Sequence, residues 1–253
     1  GVETRANQAE VGNPWSYQLE PAIASLANGN LVVTWRSEGQ DGSNSGVYAQ
    51  VFDGPSGNAL GEAFQLNQYI TDYQYAPRIA AVGAGFVATW ISRGQDGSGD
   101  GIYARRYDAA GNALGDEFRV NEASYSEQRS PDIAATGDGG FVITWRDHGG
   151  DDIYAQKFDA TGARVDGQIE ISSAATYSDD APVVAGLAGN AFAIAWQGYY
   201  DNNSNGIFQR VVGEPQAFAH SAAPQIVDLA SSVSFQENAL NAAPQLIDAG
   251  IGL

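Results

Sequence analysis

The residues best suited to chemistry lie in four Asp/Gly loops. They read Asp41-Gly42-Ser43-Asn44-Ser45-Gly46, Asp96-Gly97-Ser98-Gly99-Asp100-Gly101, Asp147-His148-Gly149-Gly150-Asp151-Asp152 and Asp201-Asn202-Asn203-Ser204-Asn205-Gly206. Side-chain oxygens at alternate positions, closed by a glycine, imitate the start of a calcium loop, because a hard cation wants about six to eight oxygens around it. The spacing predicts a structural calcium with ligands among Asp41, Ser43, Asp96, Ser98, Asp100, Asp151, Asp201, Asn203 and Asn205. The Asp96 loop is the fullest match, and the third loop is shorter and out of register. One loop supplies too few ligands, so a carboxylate such as Asp72, Asp179 or Asp180 has to join. The same letters are ordinary hairpin-turn residues, and both readings stand at this point.

A second set is aromatic. Trp15, Tyr17, Tyr73, Tyr75, Tyr125, Tyr177 and Tyr200 fall in or beside connecting segments, among Asp, Asn and Gln. A flat ring covers the C–H face of a sugar while polar neighbours take its hydroxyls, so these residues are candidates for a glycan-binding face. They could equally cap the ends of sheets. Catalysis has little support: the only histidines are His148 and His220, and there is no cysteine, which leaves no triad or zinc cluster. Thirty Asp and Glu leave room for a glycosidase pair, but no pair stands out, so no catalytic residue is assigned.

What positions these loops is a repeat. An apolar run ending in tryptophan, an Asp/Gly loop and a second run ending in aromatic-Asp recur, with markers Trp35, Trp90, Trp145 and Trp196 spaced 55, 55 and 51 residues apart. A fixed period of this size signals a propeller or solenoid. Each repeat carries four strand candidates, the first opening on Pro21, Pro77, Pro131 or Pro182. The Trp-ending strand is apolar on both faces and must be covered on both sides. The fourth repeat lacks a fourth strand, whereas Glu3-Thr4-Arg5-Ala6-Asn7-Gln8 aligns with Glu117-Phe118-Arg119-Val120-Asn121-Glu122. The expected fold is therefore all-β: a four-bladed β-propeller over residues 1–213, closed by the N-terminal strand. Residues 214–253 echo Ala222-Ala223-Pro224-Gln225 in Ala242-Ala243-Pro244-Gln245 and read as a linker and the start of another β module.

Composition limits the partners. A net charge of −18 repels nucleic acid and anionic lipid. No apolar run is long enough to span a membrane as a helix. The start at Gly1 reads as a piece of a larger multidomain chain.

The pattern Gly-Phe-Val-x-Thr-Trp, Gly-Gln-Asp-Gly, Gly-Ile-Tyr-Ala, Gly-Asn-x-Leu-Gly, Phe-x-Val-Asn resembles repeats of very large secreted bacterial proteins. Those proteins commonly carry hemolysin-type calcium-binding nonapeptides and cadherin-like modules, and look like adhesins released by type I secretion. The resemblance implies an extracellular or cell-surface setting. Together these features lead to the expectation of a calcium-stabilised, non-catalytic module binding glycan or a surface protein. The alternatives are a polysaccharide-acting enzyme using rim carboxylates and a structural spacer.

Overall fold

The computed structural model describes residues 3, 5–7, 17–122, 125–172, 178–200 and 204–213. The chain divides into two units, Gly1–Gln216 and Ala217–Leu253, and the second lies outside the described residues. Among the described residues every regular element is a strand, as the period-two patterns and glycine-rich turns predict. The first antiparallel sheet is β1 (Gln18–Ser25), β2 (Leu31–Glu38), β3 (Ser45–Phe52) and β4 (Phe64–Gln65). The second is β5 (Gln74–Val82), β6 (Gly85–Arg93), β7 (Asp100–Tyr107) and β8 (Phe118–Arg119). The third is β9 (Gln128–Ala135), β10 (Phe141–Asp147), β11 (Asp152–Phe158) and β12 (Arg164–Glu170). The fourth holds three strands: β13 (Asp179–Gly186), β14 (Phe192–Tyr200) and β15 (Ser204–Val212).

The sheets stack face to face, and first strands meet in succession, β1 against β5, β5 against β9 and β9 against β13. Three apolar clusters fill the three spaces. Val47 and Leu66 meet Phe86 and Trp90; Ile102 and Val120 meet Phe141 and Trp145; Ile153 and Ile171 meet Phe192 and Trp196. All but one residue of β6 are buried, which is why the Trp-ending strand has no polar face. Full burial of each such side chain contributes roughly 1.5–3 kcal/mol.

Two expectations need correction. The prolines do not open their strands: each is the fourth residue, after a left-handed residue, Glu20, Ala76, Ser130 or Ala181, with φ of 50–55°. Each sits at a register shift, where a bulge removes the need for the missing donor. Nor does the N-terminal segment appear as a strand. Glu3, Arg5, Ala6 and Asn7 lie outside any strand, and the remainder of residues 1–16 is outside the described residues. Among the described residues β15 has no outer partner, and the apolar face beyond it is open. Ile207 is 80% exposed, whereas its repeat equivalents Val47, Ile102 and Ile153 are each 0% exposed.

Side chains stitch sheet to sheet. In the first three sheets an N–H near the start of the third strand is served by a side chain rather than by a strand. Val47 N donates to Asn67 Oδ1 at 2.9 Å, Ile102 N to Asn121 Oδ1 at 2.9 Å and Ile153 N to Ser172 Oγ at 2.9 Å. The other end of each asparagine reaches the next sheet, Asn67 Nδ2 to Gln74 Oε1 at 3.2 Å and Asn121 Nδ2 to Gln128 Oε1 at 2.8 Å. Asn121→Ala leaves the buried Ile102 N–H and Gln128 Oε1 unserved. It should cost about 1–3 kcal/mol and lower Tm by about 2–10 °C in a chain this size. The exposed Asn58→Ala should move Tm by less than about 2 °C in the same melting experiment; equal effects would show that the stitch carries no stability.

Candidate functional site

The starts of the first and third strands and the ends of the second strands share one rim. Backbone bonds lace it: Glu38 N to Tyr17 O at 3.0 Å, Arg93 N to Tyr73 O at 2.9 Å, His148 N to Glu127 O at 2.9 Å and Tyr199 N to Ser178 O at 3.1 Å. The Asp/Gly loops clasp the next sheet's incoming segment. Asp72 N donates to Ser43 Oγ and Asn44 Nδ2 donates to Asp72 Oδ1, both at 3.0 Å. Arginines then bridge neighbouring sheets. Arg36 pairs with Glu38 at 2.8 Å and lies 5.7 and 5.9 Å from the ring centres of Tyr73 and Tyr75. Arg129 lies between Asp100 at 2.9 Å and Glu127 at 2.6 Å, with Tyr75 also donating to Asp100 at 2.8 Å. Arg146 lies between Asp151 at 2.7 Å and Asp180 at 3.3 Å, and His148 reaches Asp151 at 3.3 Å.

The repeat symmetry breaks at the top of the third sheet. The cross-strand pair at the mouth of the hairpin is Ser37 opposite Gly46 in the first sheet, Ser92 opposite Gly101 in the second and Gly198 opposite Gly206 in the fourth. In the third it is Asp147 opposite Asp152. Glu170 takes the place of Gln65 and Arg119 beside the tyrosine of the third strand. Asp179, at the start of the fourth sheet, takes the place of Gln18, Gln74 and Gln128. Four carboxyls thus stand where other repeats have neutral or cationic groups.

Their environments differ. Asp147, 7% exposed, accepts from Ser126 Oγ at 2.5 Å, Gly149 N at 2.7 Å and Gln128 Nε2 at 3.1 Å. Asp152 is half-buried, and burial pushes its pKa up. Glu170, Asp179 and Asp147 add to the rise, against a hydrogen bond from Ser172. Two aspartates directly opposite repel when both are charged, so the proton is best kept on one of them. Burial likewise raises Tyr154, to about 12, helped by Glu170, Asp152, Asp147 and Tyr125. Tyr125 itself is 84% exposed on the segment pinned by Ser126. The arrangement offers one carboxyl biased toward its acid form, one carboxylate held by three donors and a solvent-facing ring beside them. A cavity of roughly 530 Å³ on the opposite rim, lined by Val82, Phe86, Arg106, Tyr107 and Leu114, lacks this chemistry.

Of the residues expected to bind a ligand, Tyr17 is 63% exposed and Tyr125 stands free, while Tyr73 and Tyr75 are half-buried beneath Arg36. Trp15 and Tyr177 lie outside the described residues, as does the side chain of Tyr200. Of those expected to bind calcium, Asp41 and Asp96 each accept a loop N–H, from Ser43 and Ser98, both at 3.0 Å. Their Oδ2 atoms are buried without a hydrogen-bond partner and are the oxygens left for a cation. Asp100 and Asp151 face arginines instead. Asp201 and Asn203 lie outside the described residues, as does the side chain of Asn205. No group of three or more His, Asp or Glu side chains gathers in metal-holding geometry among the described residues. The number of carboxylates does not single out Asp147 and Asp152; their departure from the Ser or Gly of the other repeats does.

No known family matches the chain, and no curated protein matches it. Among solved structures it is similar to an α-L-arabinanase of Penicillium chrysogenum complexed with arabinobiose, at 16% identity and a TM-score of 0.52 over 84% of this chain and 60% of that one. It is also similar to a GH93 α-L-arabinofuranosidase of Fusarium graminearum with arabinobiose, at 12% identity and a TM-score of 0.51 over 78% and 56%. The chain thus spans little more than half the length of these proteins. Identities this low show the fold alone, that of β-propellers. The expected membership among hemolysin-type, cadherin-like calcium-binding adhesin repeats is corrected here. The structures it resembles are propeller glycoside hydrolases, and the Asp/Gly letters behind that resemblance serve as turns and inter-sheet clasps.

Because the folded pKa of Asp152 is raised, its contribution to stability is full below about pH 4 and is lost as pH rises through the folded value. Asp152→Asn keeps the neutral shape at every pH. Its Tm should match the parent near about pH 3 and exceed it at about pH 7; an offset that is equal at both values would remove the assignment.

Proposed function

We propose that the chain acts on polysaccharide, with Asp147 and Asp152 as the carboxyl pair at the glycosidic bond. The observation that carries this reading is the placement of two facing aspartates where every other repeat has Ser or Gly. Glycoside hydrolysis needs one carboxyl that still holds its proton and one carboxylate that attacks or activates water. Asp152, raised by burial, delivers the proton to the leaving oxygen; Asp147, fixed by Ser126, Gln128 and Gly149, acts on the other face of the ring. Tyr125 stacks on an adjoining sugar. The arabinobiose bound by both similar propellers supports a glycan as partner, and an enzyme explains the pair better than a purely adhesive module does. Release of reducing ends from a panel including arabinan, xylan and galactan is the test. Asp147→Asn and Asp152→Asn should each lower the rate by about 100- to 10,000-fold. No release by the parent chain, or full activity in both variants, would end the reading.

We also infer that the N-terminal segment around Arg5-Ala6-Asn7, which lies outside any strand in this structure, can pair with the outer edge of β15 and so close a four-bladed ring. Arg5-Ala6-Asn7 matches Arg119-Val120-Asn121, where Val120 N donates to Ile102 O at 2.7 Å. The outer edge of β15 and the exposed Ile207 and Val211 offer the equivalent seat. Deleting residues 1–8 should then lower Tm by several degrees, since about 2–4 °C follows from each kcal/mol lost. An unchanged melting curve would leave the ring without this seal.

A further inference from the structure

We infer that the third-sheet site takes an uncharged glycan and rejects uronic-acid polymers, an inference that rests on the polysaccharide reading above. A uronate carboxylate needs a cation that is free to receive it. The three arginines that bridge sheets along this rim are already held: Arg36 by Glu38 and two tyrosine rings, Arg129 by Asp100 and Glu127, and Arg146 by Asp151 and Asp180. Capturing a uronate would mean giving up an ion pair already made. Arg93, exposed at the end of β6, has no side-chain partner among the described residues, but it belongs to the second sheet.

The ionisable groups around Asp147 and Asp152 are Asp151, Glu170, Asp179, Tyr154, Tyr125 and His148, the last already turned toward Asp151. A charged sugar laid across them sits within a screening length of about 8 Å of several carboxylates, in a molecule of net charge −18. A sugar bearing only hydroxyls meets the opposite situation. Each hydroxyl donates to a carboxylate oxygen, and the apolar C–H face lies on Tyr125, whose ring is 84% exposed.

The experiment compares matched polymers on the whole chain by affinity electrophoresis. Arabinan, xylan and galactan are run beside the same polymers after oxidation of hydroxymethyl groups or grafting of carboxymethyl groups, at about 20 mM and about 500 mM salt. The uncharged form of the retained polymer should bind at least about tenfold more tightly at low salt, and the gap should narrow at high salt. Asp147→Asn with Asp152→Asn should narrow it at low salt too, and Tyr125→Ala should weaken binding of the uncharged form by up to about tenfold. Acidic polymers that bind as well as their uncharged parents would overturn the selectivity while leaving the polysaccharide reading intact. Retention and cleavage of no polymer would overturn both.

Discussion

The structure depends on how the third strand of each sheet begins. In the first three sheets a buried N–H near that start, of Val47, Ile102 or Ile153, is served by a side chain, and an unserved buried donor costs more than an average hydrogen bond returns. Asn67, Asn121 and Ser172 meet that need from the end of the fourth strand, and the two asparagines use their amide nitrogen to hold the next sheet's opening glutamine. One side chain therefore ends a sheet, starts its neighbour's pairing and fixes the distance between them. The apolar clusters between sheets are non-directional, whereas the asparagine hydrogen bonds tie specific backbone and side-chain atoms together.

With the frame fixed, the departures from it are what distinguish one repeat from another. The turn aspartates Asp53, Asp108 and Asp159 hold their carboxyls below the usual range through hydrogen bonds from Ser56, Asn112 and Thr161 respectively, a role repeated in three sheets and independent of any ligand. Asp147, Asp152, Glu170 and Asp179 are different, because each replaces a neutral or cationic group at its own repeat position. Burial there, reinforced by the clustered like charges, raises Asp152 and costs stability. Under the proposed polysaccharide reading, that local cost is what a site kept for chemistry would carry.

Much of this was legible beforehand. The 55-residue period, the doubly buried strand ending at Trp90 and the short fourth strand of the second repeat follow from spacing and patterning alone. The bulges before Pro21, Pro77, Pro131 and Pro182 were not, since the residue preceding a proline ordinarily avoids the helical region and a left-handed value is rarer still. Of the aromatics, Tyr125 and Tyr17 are exposed and Tyr73 and Tyr75 are half-buried, a difference sequence does not show because Arg36 comes to lie over them from the neighbouring sheet. Among the expected calcium ligands, Asp100 and Asp151 look free in the loop but in space are occupied, Asp100 by Arg129 and Asp151 by Arg146.

The outward side of β15 has a last consequence, for how copies of the molecule tolerate one another. Among the described residues this ladder is bare, and wherever the N-terminal segment does not cover it, the edge flanked by Ile207 and Val211 is a template on which any extended segment can crystallise. Colloidal repulsion from a net charge of −18 opposes that contact in dilute buffer. The protein's solubility is thus an electrostatic property laid over an adhesive edge, and brine, which weakens the first and strengthens the second, is the medium in which the balance tips.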